Sequence, residues 1–115
     1  MPPTCIFCKI AAGEAPATVL YQDELAIAFR DIHPVAQTHV LVIPRRHIES
    51  VNAVEAGDES LLGHLIVVAR KIAEMEGIAA GGYRLLVNTG PNAGQVVYHI
   101  HLHVIGGQRL RHMQG

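Results

Sequence analysis

The chain has 115 residues, half of them hydrophobic and 17% charged, a balance that excludes a disordered tail and allows one core that buries about two-thirds of the unfolded surface. Nine Lys and Arg against ten Asp and Glu leave a net charge of -1, so there is no cationic footprint for nucleic acid. Eight His in a chain without Trp point to chemistry at a site.

Residues 1–115 read as a single domain. Residues 1–8 have no basic segment followed by an apolar stretch, so a secretory signal is not expected. The longest apolar run, residues 61–69, is interrupted by Gly63 and His64 and falls well short of the ~20 residues that span a bilayer. The expectation is a cytoplasmic protein without a membrane partner. After an irregular start at Pro2 and Pro3, residues 5–12 read as a short helix stopped by Gly13. Residues 18–21 and 25–29 read as strands joined through Gln22-Asp23-Glu24. Pro34 breaks the next segment, and residues 39–43 form a third strand ended by Pro44. The period then changes: Leu61, Leu62, Leu65, Val68, Ile72 and Met75 recur at helical spacing. This predicts a long helix over 58–76, with Asp58 as N-cap and Gly77 as C-cap. Residues 83–88 and 98–105 are the last two strands, around the turn-rich loop 89–94, and Gly106-Gly107 ends the second. Short connections between strands favour an antiparallel five-stranded sheet with one long and one short helix, an α+β architecture.

The sharpest motif is His99-Ile100-His101-Leu102-His103-Val104. On a strand, the three imidazoles share one face and the aliphatic residues the other. Neighbouring imidazoles then stand roughly 7 Å apart and the outer two roughly 13 Å, too far for all three to hold one ion. A half-exposed edge strand would be served as well by Lys, Thr or Glu. Imidazoles titrate near neutral pH and fit catalysis or metal binding. One neutral imidazole can act as a nucleophile if its other nitrogen is held by an acceptor, and another can donate to developing charge. Asn88 offers a neutral donor, and the amides of the loop from Gly90 to Gly94 and beyond can meet an anion. The chain has neither a Walker A motif nor G-x-G-x-x-G.

The run from His99 to Gly106 resembles the signature of the histidine triad family. Other pieces fall in that family's order: Ile6-Phe7-Cys8-Lys9-Ile10, Ala28-Phe29-Arg30-Asp31-Ile32, Thr38-His39-Val40-Leu41-Val42-Ile43-Pro44, His47-Ile48, Asn88 and Gly94-Gln95. The likeness is nearest to the small branch that cleaves purine nucleoside phosphoramidates and aminoacyl-adenylates. It implies the family's fold and a homodimer with a continuous sheet. It also implies that His101 attacks the α-phosphorus to form a nucleotidyl-histidine while the His99 carbonyl holds its other nitrogen. His103, Asn88 and the amides near Gly94, Gln95, Val96 and Val97 would meet phosphate oxygens. Asp31 would take the ribose, and Ile6, Phe7, Ile10, Phe29 and Ile32 would wall the base, although these apolar residues read equally well as plain core. No catalytic metal is needed. Val96 departs from the pattern, standing where eukaryotic members carry a Ser beside the leaving group. The tail from Gln108 lacks their aromatic residues, and His112 reads as solvated. Two rival readings remain: dinucleoside polyphosphate hydrolysis or nucleotidyl transfer, and a zinc-bearing nucleotide-binding regulatory module with little turnover.

Cys5 and Cys8 read as a buried pair of small thiols, as half of a metal site, or as a redox pair, although Ile6 and Phe7 between them are poor surroundings for an exposed thiolate. With His47 and His99, by the pattern of related nucleotidylyltransferases, they would make a four-ligand structural zinc site that braces His99 and so the strand bearing His101. His39 reads as a core histidine, His33 as a turn residue, His64 as a helix or subunit-contact residue, and Arg45 and Arg46 as a solvated pair.

Overall fold

The computed structural model describes residues 4–111, so Pro2, Pro3 and His112 lie outside the described residues. The elements run α1 (Ile6–Ala11), β1 (Val19–Gln22), β2 (Ala26–Arg30), β3 (Thr38–Pro44), α2 (Glu59–Met75), β4 (Tyr83–Leu86) and β5 (Leu102–Gly106). The strands form one antiparallel sheet in the order β1-β2-β3-β5-β4.

Alternation along the strands builds two cores. Ala26 and Ala28 of β2, Val40 and Val42 of β3, and Leu102 and Val104 of β5 face α2, where Leu65, Val68, Ala69 and Ile72 close the layer. The two alanines leave room for the helix to approach the sheet. Ile27, Phe29, Leu41 and Ile43 point the other way and meet Phe7 and Ile10 of α1. β3 is covered on both faces and buried throughout, which is why it reads as a continuous apolar run rather than an alternating one.

Several ends differ from the sequence expectation. Asp58 precedes α2, yet its side chain does not cap that helix. The carboxylate accepts from the backbone N–H of Glu55 at 2.9 Å and pairs with Arg46, closing the short 3-10 turn Ala56–Asp58. The helix stops as expected before Gly77, whose φ of 73° needs a residue without a Cβ. Of the expected solvated pair, Arg46 is exposed and pairs with Asp58, whereas Arg45 is partly buried. Arg45 donates to the carbonyls of Asp23 (2.6 Å) and Ala11 (2.7 Å), tying the β1–β2 turn to the end of α1. His64 serves the same turn: its Nε2 lies 2.7 Å from Asp23 Oδ2, and the other carboxylate oxygen of Asp23 accepts from the amides of Leu25 and Ala26.

The last strand is shorter than expected. β5 begins at Leu102, and β4 ends at Leu86. Before Leu102 the chain leaves the ladder, because the Ile100 amide donates to the Ile48 carbonyl at 2.7 Å instead of to β3. His99 and His101 therefore precede the strand, although the face on which each side chain lies is kept.

Candidate active site and metal centre

The sheet face opposite α2 carries all three imidazoles of the motif. The rings of His101 and His103 lie 5.0 Å apart between centroids, closer than the spacing of an ideal strand. Phe7 of α1 stands edge-on to His101 at 5.1 Å. His99 is fully buried and His101 nearly so.

Each ring is held in one tautomer by a neighbour whose role is fixed. His101 Nδ1 lies 2.7 Å from the His99 carbonyl, which only accepts. Nδ1 therefore carries the proton, and the lone pair sits on Nε2. Burial lowers the His101 pKa, opposed by that hydrogen bond to the His99 carbonyl and by the charge of Asp31, so the ring is a neutral base at pH 7. At His39 the fixed partner is a donor. The Val35 amide donates to His39 Nδ1 at 3.1 Å, which places the His39 proton on Nε2, and Nε2 lies 2.9 Å from His103 Nδ1. His103 Nδ1 accepts, so Nε2 of His103 carries the proton, and that buried atom has no partner among the described residues. Burial, reinforced by His101 and His39, brings the His103 pKa down to about 4, so this donor is a neutral imidazole. The site thus presents a nucleophilic nitrogen beside an unused N–H. A buried donor left unpaired costs about 1–3 kcal/mol, a cost that a ligand oxygen would relieve.

Sequence reasoning placed His39 in the core and missed this part in the site. The available signal was register: His39 pairs with Ile105 and Leu41 with His103, so His39 shares the face of the motif.

A second cluster closes the other end of the motif. Cys5, Cys8, His47 and His99 each offer a donor atom, and all four atoms lie within 4.8 Å of one another. Nε2 of His99 donates to the Pro44 carbonyl at 2.8 Å, leaving the Nδ1 lone pair aimed at the thiols. The tetrahedral edges expected from usual zinc bond lengths are about 3.3 Å for N···N and about 3.5 Å for N···S. His47 Nδ1 and His99 Nδ1 are 3.3 Å apart, Cys8 Sγ lies 3.3 Å from His47 Nδ1 and 3.5 Å from His99 Nδ1, and Cys5 Sγ is 3.5 Å from His99 Nδ1. The residues present fit a tetrahedral zinc. Burial, followed by the neighbouring Cys5, raises the Cys8 thiol to about 11, so a thiolate there requires a cation.

Asp31, His39 and His103 also lie close together, but they do not suit a metal. His39 Nδ1 already accepts the Val35 amide, so the nitrogen facing the cluster carries a proton rather than a lone pair.

The other expected site residues are placed as follows. Asp31 Oδ1 accepts the His33 amide at 2.8 Å, and Oδ2 lies 3.3 Å from His39 Nε2. Phe7, Ile10 and Phe29 form one apolar wall with Val97 against it. Ile6 is partly exposed, and Ile32, at 83% exposed, stands outside that wall. Asn88 is half-buried two residues past β4. Continuing the β4–β5 register from Leu86↔His103 would set Asn88 opposite His101. The loop turns at Gly90 and Gly94, with φ of 80° and 84°. Gln95 is buried, accepts from the Gly90 amide and donates to the Glu49 and Val97 carbonyls. Its side chain holds the loop rather than facing a ligand. Val96 is exposed.

Known proteins resemble this chain in both sequence and fold. The HIT domain family model matches residues 12–110. The purine nucleoside phosphoramidase of Escherichia coli K12 is 55% identical over 105 residues, covering 91% of this chain and 88% of the relative. A histidine triad protein from Clostridium difficile superimposes with a TM-score of 0.96 at 38% identity, over 99% of each chain. A zinc-bound histidine triad family protein from Mycobacterium smegmatis gives 0.81 at 34% identity, over 91% of this chain and 76% of that one. The fold expected from the sequence is the fold observed, and the chain belongs to the HIT domain family.

Proposed function

We propose that this chain is a phosphoramidase that cleaves the P–N bond of purine nucleoside 5′-phosphoramidates, acting as one domain through a covalent histidine intermediate. The observation that carries the reading is the bond from His101 Nδ1 to the His99 carbonyl, 2.7 Å long, which leaves the Nε2 lone pair free in a buried site beside the unpaired Nε2–H of His103. In this reading Phe7, Ile10 and Phe29 hold the base, with Ile6 and Ile32 at its margin, and Asp31 meets the ribose. His101 Nε2 attacks phosphorus. The P–N bond breaks, its electron pair stays on the leaving nitrogen, and that nitrogen takes up a proton. His103 Nε2–H, Asn88 and the amides from Gly94 to Val97 meet the phosphate oxygens. Water then adds to phosphorus, the bond to His101 breaks, and the nucleoside monophosphate departs. The E. coli relative, a purine nucleoside phosphoramidase, supports this substrate class over dinucleoside polyphosphates and over a module with little turnover.

Zinc belongs to the same reading. Cys5, Cys8, His47 and His99 would hold it, and its contribution is to fix the backbone of His99, on whose carbonyl the His101 tautomer depends. A site built from two free thiols suits a reducing compartment such as the cytoplasm. Among the described residues no helix is long and apolar enough to cross a membrane. The reading also includes a homodimer formed along β4, an edge strand of the sheet. An apolar cavity of about 300 Å³ between Val51, Leu62, Val87 and Leu102, together with exposed Ile66 and Val67 on α2, supports it.

The test is rapid quench with phosphorus-labelled adenosine phosphoramidate. Wild type should carry acid-labile label on protein, and His101→Ala should neither turn over nor trap label. Full turnover by His101→Ala would remove the mechanism.

A further inference from the structure

The Cys5–Cys8 pair has a chemistry beyond holding a cation. These are the two cysteines of the chain, and both are free thiols. Cys5 is the N-cap of α1, and its Sγ accepts the Cys8 amide at 3.4 Å. The two sulfurs therefore share the first turn of one helix, and both belong to a cluster whose ligand atoms lie within 4.8 Å of one another. Their exposure differs: Cys8 is buried, and Cys5 is partly exposed. A cavity of about 350 Å³ is lined by Cys5 and His47 together with Thr4, Ile6, Glu49 and Tyr98, and the last four are exposed. A small solute has room there to meet the Cys5 sulfur. The apolar residues between the cysteines do not shield it. Ile6 is 45% exposed, and Phe7 turns away to meet Phe29 edge-on at 5.4 Å.

Resting on the zinc reading, we propose that Cys5 and Cys8 form a site of reversible oxidation, which a peroxide closes to a disulfide. One peroxide oxygen is transferred to Cys5 Sγ, which becomes a sulfenic acid, and the other oxygen leaves as water. Cys8 Sγ then bonds to Cys5 Sγ and expels the hydroxyl as a second water. Counted from the two thiols, two electrons and two protons pass to the peroxide. The accessible sulfur takes the oxygen, and its neighbour in the same helical turn resolves it. In a compartment that keeps thiols reduced, such a disulfide is transient rather than structural.

A disulfide across one helical turn constrains little of the fold, so its effect comes through the ligands it removes. Cys5 Sγ and Cys8 Sγ each stand 3.5 Å from His99 Nδ1, and Cys8 Sγ stands 3.3 Å from His47 Nδ1. Oxidation leaves His47 and His99 alone, two donors where zinc takes four. The loss is felt at His99. Its carbonyl holds His101 Nδ1 at 2.7 Å, and its ring keeps the Pro44 carbonyl, at 2.8 Å, as a fixed partner. Losing a support one step removed from the reacting group costs about 10- to 100-fold. Because the bond to Pro44 survives, the low end of that range, roughly tenfold in turnover, is expected.

The experiment titrates the zinc-loaded protein with hydrogen peroxide and reads each sample in four ways: zinc released to a coloured chelator, free thiols, the mass of the peptide holding Cys5 and Cys8, and turnover of adenosine phosphoramidate. Zinc and both thiols should be lost together, the peptide should become lighter by two hydrogens, and turnover should fall. Dithiothreitol with added zinc should restore the thiols and the rate, whereas dithiothreitol with a chelator should restore the thiols alone. Zinc retained after the thiols are lost overturns the proposal. So do thiols carried to sulfinic or sulfonic acids without a disulfide, and thiols and zinc that both survive an excess of peroxide. Full rate regained without zinc overturns the link to His99. Purified protein that binds no zinc overturns the zinc reading instead, and absent turnover before oxidation overturns the phosphoramidase reading. Each of these is distinct from the loss of the disulfide.

Discussion

Removing His39 tests the tautomer chain directly. In His39→Leu the His103 Nδ1 loses its donor at 2.9 Å and the Val35 amide loses its acceptor at 3.1 Å. His103 is then free to move its proton to Nδ1, which turns Nε2 from donor to acceptor where a phosphate oxygen is expected. Removing one preorganised donor from a water-excluded site costs about 100- to 1,000-fold in rate. Because the ring keeps the correct tautomer part of the time, a drop of roughly 10- to 100-fold in kcat/KM is expected. Two groups left without partners should also cost about 1–3 kcal/mol of stability. His39→Gln supplies an amide N–H toward His103 and should recover part of the rate. The assay is steady-state turnover of an adenosine phosphoramidate, paired with nitrogen-15 NMR of the His103 ring to read which nitrogen is protonated. Refutation would be a folded His39→Leu protein within twofold of wild type. A slow variant whose His103 proton remains on Nε2 would refute it equally, since the loss would then have another origin.

Protonation and metal give further tests. Burial brings His103 to about 4, below its unfolded value near 6.5. The unfolded chain therefore binds more protons between those values, and this group's contribution to stability should fall as pH drops from about 6.5 to about 4 and stay constant above. Urea midpoints across that range should show the slope, and His103→Gln should flatten it. Cys8→Ser should lower zinc content below about half an equivalent by elemental analysis and lower the melting temperature. Near-stoichiometric zinc in that variant would contradict the four-ligand site. Asp23→Ala removes the acceptor of two amides, Tyr21 and His64, and should destabilise by about 2 kcal/mol in urea unfolding. Because this turn lies at the α2 side of the hairpin, turnover at saturating substrate should be unaffected.

Features that depend on local periodicity were legible in the chain. Residues 38–44 show unbroken apolar character because both faces of β3 are covered, and the three- and four-residue spacing from Leu62 to Ile72 marks the side of α2 that meets the sheet, while Met75, next in that spacing, is exposed. The sharing of one face by His99, His101 and His103 followed from alternation, and it survived even though β5 starts only at Leu102. What escaped was set by long-range partners. Asp58 looks like a helix cap until Arg46, twelve residues earlier, takes its carboxylate. Arg45 looks solvated until two turns distant in sequence present their carbonyls to it. His39 looks like core because its burial is real; its part in the site depends on the register between β3 and β5, which no local window contains.

The sheet face carries two clusters made of nearly the same side chains, and the difference between them comes from backbone groups outside each cluster. At His99 the neighbour is the Pro44 carbonyl. It accepts a proton from Nε2 and so turns a lone pair toward Cys5, Cys8 and His47, which makes a place for a cation. At His39 the neighbour is the Val35 amide. It donates to Nδ1 and so turns a proton toward His103, which makes a relay ending in an N–H. Between the two stands His101, whose Nδ1 is fixed by the carbonyl of the same His99 that faces the thiols. One cluster therefore sets the lone pair of His101, the ring proposed to attack phosphorus, and the other sets the proton beside it. Substituting either backbone-held imidazole should disturb a different half of the reaction: His99 the formation of the bond to phosphorus, His39 the stabilisation of charge on its oxygens.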